Sequence, residues 1–389
     1  MQNNHSNLPE FYIGIMSGTS LDGIDAVLAG FSDNKYEVVS YANLDFDTEL
    51  KDVLLELQNV SENEIHKAQL AANNLAIHYA ELVSILLEKS GIAKDKVKAI
   101  GSHGQTIRHQ PKKNDVKNAY TLQLQNPSLL AELTGINVIA NFREADIAAG
   151  GQGAPLVPAF HADYFKHVLA EYTKIVVCNI GGMSNITILS QDKPVMGMDC
   201  GAGNVLLDSW IKHSLNKDFD ENGSWAKQGQ LNSDLLTIML NNEYFKQSLP
   251  KSTGRELFNL EFIINSLNSL KISTKLNIQP EDVQTTLVHL TAKSIAQDIY
   301  KYADCKNDDK KLLAVCGGGA KNNFILETLA YYLADYKVCT TSELGLDTQN
   351  VEALAFAWLA KQYIENKPSN LPDITGAKKY KILGSLYKS

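Results

Sequence analysis

Apolar positions along this chain follow two periods. Residues 12–16 (YIGIM) and 25–31 (DAVLAGF) are short apolar runs joined by a polar, glycine-rich stretch, which predicts an opening β-hairpin. Leu75, Tyr79, Leu82 and Leu86 then recur at spacings of three and four, predicting a long helix that Gly91 is placed to end. Residues 98–104 and 121–125 read as strands, 127–135 as a short helix and 136–142 as a strand. The same grammar restarts at 174–182 and 184–190, again strand, glycine turn and strand. Residues 197–204 end in a glycine turn, and helical patterns follow at 204–213 and 281–303. A strand with a glycine turn occupies 311–323, and 349–366 is the last strong helix. Alternating helix and strand predict an α/β protein. Two similar openings without a fixed short period point to one fold used twice. The expected division is residues 1–140 plus about 368–389 for the first domain and 141–367 for the second. No low-complexity linker marks the join, so the two are expected to share a central cleft.

With 389 residues the chain exceeds what one core usually serves. Its 44% hydrophobic and 21% charged content is that of an ordinary globular enzyme. A net charge of −8 argues against broad contact with nucleic acid or an anionic membrane, because neutralising phosphates needs an excess of Lys and Arg. No run approaches the roughly 20 apolar residues of a membrane span, and the polar N-terminus does not read as a signal peptide, so a cytoplasmic protein is expected. Cys178, Cys200, Cys305, Cys316 and Cys339 are odd in number and lack C-x-x-C spacing, which fits buried free thiols.

Three glycine-rich turns carry candidate chemistry. The first includes Gly18, Thr19, Ser20, Leu21, Asp22, Gly23, Ile24 and Asp25. Glycines let backbone N–H groups approach an anion, and hydroxyls add donors. Asp22 and Asp25 make sense there if a divalent cation, reached directly or through water, stands between them and phosphate, or if they brace the turn. The second turn, with Asn179, Gly181 and Gly182, repeats the chemistry without the acids. One turn per half would grip a polyphosphate from both sides. The third, Gly317, Gly318 and Gly319, fits neither the dinucleotide nor the P-loop pattern, and a flat surface against a base or ribose is the functional reading. Glycine, serine and aspartate are equally ordinary turn residues, and a tight hairpin explains each turn singly.

Longer motifs sharpen the picture. Residues 16–23 (MSGTSLDG), 101–106 (GSHGQT), 150–158 (GGQGAPLVP), 199–201 (DCG), 251–256 (KSTGRE), 316–319 (CGGG) and 352–358 (EALAFAW) resemble, in order, the anhydro-N-acetylmuramic acid kinase family, within the actin, hexokinase and heat-shock ATPase superfamily. The resemblance implies a duplicated ribonuclease-H-like, actin-like ATPase fold, two domains around a cleft, ATP and Mg²⁺ as cofactors, and a homodimer. It implies a small-molecule substrate, 1,6-anhydro-N-acetylmuramic acid, opened hydrolytically and phosphorylated at O6 in cell-wall recycling. Because O6 is tied up in the anhydro bridge, a water must attack C1, and that water needs a base. The family's base aligns with Asp199 and its second acid with Glu352. Without the family, Asp199 reads as a turn residue and Glu352 as an acid favoured at a helix start.

His103, Arg143 and Gln152 are the candidate substrate residues, with Arg255 a further basic group. Two departures from the family pattern stand out. Glu144 and Ala145 occupy an arginine run, and Ala202 replaces a proline after the catalytic acid.

Overall fold

The computed structural model describes residues 8–389 apart from 19, 20, 22, 33, 34, 112–114, 116, 250, 252, 275–277 and 304–309. In chain order the strands are β1 (Glu10–Ser17), β2 (Ile24–Ser32), β3 (Lys35–Leu44), β4 (Val97–Gln110), β5 (Tyr120–Leu124), β6 (Val138–Ala140), β7 (Lys174–Ile180), β8 (Met183–Ser190), β9 (Met196–Ala202), β10 (Lys311–Cys316), β11 (Lys337–Thr340) and β12 (Ser385–Tyr387). The α-helices are α1 (Thr48–Leu57), α2 (Glu64–Ser90), α3 (Pro127–Thr134), α4 (Phe142–Ala148), α5 (Val157–Tyr164), α6 (Val205–Leu215), α7 (Ser233–Leu240), α8 (Glu243–Lys246), α9 (Leu260–Thr274), α10 (Pro280–Tyr302), α11 (Asn323–Tyr332), α12 (Val351–Ile364) and α13 (Pro372–Thr375). Two compact units result. One is Met1–Tyr164 with Asn350–Ser389, the other Phe165–Gln349.

The first unit is built on a sheet ordered β12-β6-β4-β1-β2-β3, with β5 paired to β4. Strands β1, β2 and β3 form an antiparallel meander, whereas β4 lies parallel to β1 and β6 parallel to β4. Ile13 and Ile15 alternate to one face and meet Leu75, Tyr79, Leu82 and Leu86 of α2 in a shared core. Gly91 ends α2 in the left-handed region (φ 68°), its N–H donating to the Leu87 carbonyl, as its position predicts. Among the described residues α2 is the one helix long and apolar enough to cross a membrane. Its apolar stripe is spent on this core, which accounts for its composition.

The opposite face of the sheet carries α12, and here two glycines set the distance. A Cβ on Gly14 would lie 1.8 Å from the Ala353 carbonyl oxygen, and one on Gly101 2.0 Å from that of Phe356. Both are strand glycines over which a helix backbone lies directly, so their purpose is close packing.

The second unit has a five-stranded sheet ordered β11-β10-β7-β8-β9. Again three antiparallel strands (β7, β8, β9) sit beside two parallel ones (β10, β11). The second unit's order, third-second-first-fourth-fifth, recurs in the first unit as β3-β2-β1-β4-β6 with β5 and β12 added, and the chain has the duplicated ribonuclease-H-like α/β fold. Its core gathers Val176, Cys178, Ile186, Leu287, Ile295 and Leu313. Cys178, Cys200, Cys316 and Cys339 are buried and form no disulfide among the described residues, and Cys305 lies outside those residues.

Three features differ from the sequence expectations. The opening hairpin is a three-stranded meander followed by α1; β3 mixes exposed and buried residues at a sheet edge, so its apolar signal is diluted. The strand expected over 136–142 stops at Ala140, because Asn141 turns left-handed (φ 61°) and starts α4. Finally, residues 141–164 and 350–367, expected in the second domain, pack within the first unit. Asp146 on α4 accepts from Asn370 and Thr375, and α12 lies on β1 and β4, contacts between distant segments that no local pattern reveals.

Candidate active site

In the second unit Asp199 stands near the end of β9. The β8–β9 ladder pairs Asn185 with Asp199 and Ser184 with Gly201, leaving Cys200 as a bulge. Bulges re-aim the neighbouring side chain, and Gly201 (φ 137°) takes up the bend. The half-buried Asp199 carboxylate accepts the Thr253 N–H at Oδ2 (3.2 Å), and its backbone carbonyl accepts the Tyr244 hydroxyl (2.9 Å). Burial pushes its pKa up to about 6, against the opposing pull of the Thr253 amide and the Lys251 ammonium. Such a group is ionised at neutral pH yet remains a useful base. Beside it, the Thr253 hydroxyl is buried without a hydrogen-bond partner among the described residues. A buried hydroxyl in that state has capacity for a water or sugar hydroxyl.

The same unit brings its two expected glycine turns together with a third segment. The Gly182 carbonyl accepts the Gly203 and Val205 N–H groups, and the Gly181 carbonyl accepts that of Asn204. Gly203 is required there, since a Cβ would come within 2.3 Å of the Gly181 oxygen. Gly317 (φ 78°) and Gly319 are packed against Asn179 and Ile180, so their purpose is tight contact. Gly181 and Gly182 are open. Cβ atoms there would meet nothing nearer than 3.7 and 3.9 Å, and the atom near Gly182 is Nη2 of Arg255. An open glycine turn beside a guanidinium, with Gly318 crowded only by Asn204 (3.3 Å), suits an anionic, flat-faced ligand such as a nucleotide.

In the first unit Thr19, Ser20 and Asp22 lie outside the described residues. What flanks them is held firmly. The Gly18 carbonyl accepts the Leu21 N–H (3.1 Å) and the Gln105 side-chain amide (3.1 Å). Leu21 is left-handed (φ 57°) and buried, a costly conformation for a bulky residue that the fully buried Gln105 helps to impose. Leu21 and Ile24 bury their side chains in the core, leaving only their backbones for a ligand. Gly23 sits where a Cβ would be 3.1 Å from the Leu44 carbonyl oxygen. Asp25 spends Oδ1 on Tyr41 (2.7 Å) and Asn43 (3.1 Å), leaving Oδ2.

Asp25 also bears on Glu352, in the first turn of α12. Burial holds the Glu352 carboxyl above the usual range, Arg143 opposes this, and Asp25 adds to it. Two acids repelling each other suit a cation, although no group of three or more His, Cys, Asp or Glu side chains converges among the described residues. Mg²⁺ commonly needs only one or two protein carboxylates besides phosphate and water.

Arg143 Nε donates to His103 Nε2 (2.8 Å) and Nη1 to the Gly153 carbonyl (2.9 Å), leaving Nη2 and the side facing Glu352. Burial and then the Arg143 charge keep the His103 imidazole well below its usual pKa, so it is neutral and carries its proton on Nδ1. His103, expected at the substrate, thus spends its acceptor nitrogen in orienting Arg143. Gln152 donates its N–H to the Thr375 carbonyl (2.8 Å), which leaves its side chain half-exposed. The fully buried Asp146 accepts the Gly153 N–H, the Thr375 hydroxyl and the Asn370 amide, fixing the turn that holds Arg143. Glu144 is exposed.

Sequence reasoning missed Thr253, Tyr244, Asn204, Gln105 and Asp146. Gln105 and Thr253 carried one readable sign, their places within the motifs at 101–106 and 251–256. The others are turn or helix residues whose roles exist only through contacts distant in sequence.

A profile of the family described as anhydro-N-acetylmuramic acid kinase matches residues 10–389. The anhydro-N-acetylmuramic acid kinase of Cupriavidus metallidurans is 46% identical over 381 residues, covering 97% of each chain. That of Paraburkholderia xenovorans is 47% identical over 382 residues, again 97% of each. Among solved structures, the activator of 2-hydroxyisocaproyl-CoA dehydratase from Clostridium difficile, with bound ADPNP, aligns with TM-score 0.46 at 13% identity, covering 92% of this chain and 96% of that one. Nearly half of all positions are thus shared with enzymes of one name over almost the full length, and this chain belongs to the anhydro-N-acetylmuramic acid kinase family.

Proposed function

We propose that this chain carries out its family's reaction, the ATP-dependent opening of 1,6-anhydro-N-acetylmuramic acid with phosphorylation at O6, and that Asp199 is its general base. The observation that carries this reading is the placement of Asp199. It is a partly buried carboxylate aimed by a bulge, with its pKa raised to about 6, beside the Thr253 hydroxyl, which has no hydrogen-bond partner among the described residues. Asp199 takes one proton from water as the water oxygen bonds to C1 and the C1–O6 bond breaks. O6 keeps the electron pair of that bond and bonds to phosphorus; the products are N-acetylmuramic acid 6-phosphate and ADP. The bond between the γ-phosphorus of ATP and its β–γ bridging oxygen breaks, that oxygen keeping the pair as ADP leaves, and a bound Mg²⁺ would offset the charge around the phosphoryl group. Gly181, Gly182, Asn204, Gly318 and Arg255 would hold nucleotide in the second unit, with Asn179, Gly317 and Gly319 shaping that surface. The Gly18–Asp25 turn would contribute backbone donors, and Asp22 and Asp25 would face Mg²⁺ through water. Arg143, oriented by His103, and Gln152 would hold the sugar. Glu352, an acid at the start of α12 beside Arg143, would orient the sugar or the water. The two ribonuclease-H-like units are the working domains of a cytoplasmic homodimer that recycles cell-wall sugar.

The reaction run in ¹⁸O-labelled water and quenched before anomeric exchange tests this. Mass spectrometry should find label at C1 of the sugar and none in its phosphate. Product made only from the already opened N-acetylmuramic acid would reduce the activity to simple hydroxyl phosphorylation.

The protonation state of Asp199 adds a pH prediction. The active form is the carboxylate, so kcat/KM should be flat near neutrality and fall about tenfold per pH unit below an acid limb near pH 6. A limb near pH 4, the ordinary carboxylate range, would contradict the burial argument.

A further inference from the structure

The loop that touches Asp199 begins with a lysine whose charge points inward. Nζ of Lys251 lies 2.8 and 2.6 Å from the two carboxylate oxygens of Asp298 on α10. The side chains are 1% and 7% exposed, so neither can reach a ligand from where it sits. The same ammonium stands 5.2 Å above the ring of Tyr244, whose hydroxyl donates to the Asp199 carbonyl. Two residues after Lys251, the Thr253 N–H donates to Asp199 Oδ2. A buried ion pair does little for net stability, because desolvation offsets the attraction; fixing one arrangement of the chain is what such a pair suits.

We propose that the Lys251–Asp298 ion pair is the positioning element of the catalytic base: it anchors the 251–255 loop and Tyr244 against β9, so that the Thr253 amide and the Lys251 charge hold Asp199 in its ionised, aimed state. The inference rests on the reading of Asp199 as base. The titratable groups gathered here are Lys251 on the loop, Tyr244 on α8, Cys200 on β9 and Asp298 on α10. Burial raises the proton affinity of Asp199, and the Thr253 amide and Lys251 are the two influences that lower it. Removing the pair weakens both, and the Asp298 charge lost with it is not among the influences on Asp199, so the net change is upward. Asp199 binds its proton more tightly, and the acid limb of kcat/KM moves to higher pH.

Lys251→Met alone strands Asp298 as a buried, unpaired charge and is expected to fold poorly. The deciding protein is therefore Lys251→Met/Asp298→Leu, which replaces both charges by apolar groups of similar size. Its thermal midpoint and KM for ATP should match the parent enzyme. Its acid limb should lie about one pH unit higher, so that kcat/KM below the limb is about tenfold lower. A folded double variant with the limb unmoved would overturn the inference. Asp199→Asn with near-normal turnover is a separate result, which would remove the base reading itself.

Discussion

Asp199→Asn is expected to lower kcat by roughly 10²–10⁴-fold, the usual contribution of a general base. The substitution keeps the size of the side chain, and its amide oxygen can still accept the Thr253 N–H. What it removes is the ability to take a proton from the attacking water. ATP affinity, measured by calorimetry, should therefore stay near that of the parent enzyme, and so should the thermal midpoint. The small residual rate should also lose the acid limb, since no titrating base remains. Turnover within tenfold of the parent would take Asp199 out of the mechanism.

Gly14→Ala and Gly101→Ala should each destabilise the first unit on the order of 3 kcal/mol, at or beyond the upper end of ordinary overpacking. The reason is geometric. The added Cβ atoms would stand 1.8 and 2.0 Å from backbone oxygens of α12, and a backbone oxygen cannot rotate away as a side chain can. The helix must lift from β1 and β4, carrying Glu352 away from Arg143 and Asp25. A urea midpoint lowered together with loss of activity would show both effects. Gly181→Ala is the contrast, because its nearest neighbour would be 3.7 Å away. It should leave stability nearly intact and weaken nucleotide binding instead. Equal midpoints for Gly14→Ala and Gly181→Ala would refute this account of the strand glycines.

The glycines also mark where reading the sequence stops. All the motif glycines look alike in one dimension, as flexible residues suited to phosphate. In the folded chain Gly181 and Gly182 stay open, Gly203, Gly317 and Gly319 permit backbone segments to touch, and Gly14 and Gly101 let a helix lie on a sheet. His103 is a parallel case. The Gly-Ser-His-Gly-Gln-Thr motif marks it as functional, but only the approach of α4 shows that it serves Arg143.

Periodicity and turn residues by themselves determined the α/β class, the duplication, most strands and the helix ended by Gly91, because each is written in residues a few positions apart, whereas Asp199 was singled out only through the resemblance of its motif to the family. Tertiary structure alone decided that residues 141–164 and 350–367 belong with the first unit, that a buried Lys251–Asp298 pair braces the loop on Asp199, and that the Asp199 pKa rises to about 6. Those outcomes depend on desolvation and on contacts between segments tens to hundreds of residues apart, and neither quantity exists until the chain has folded.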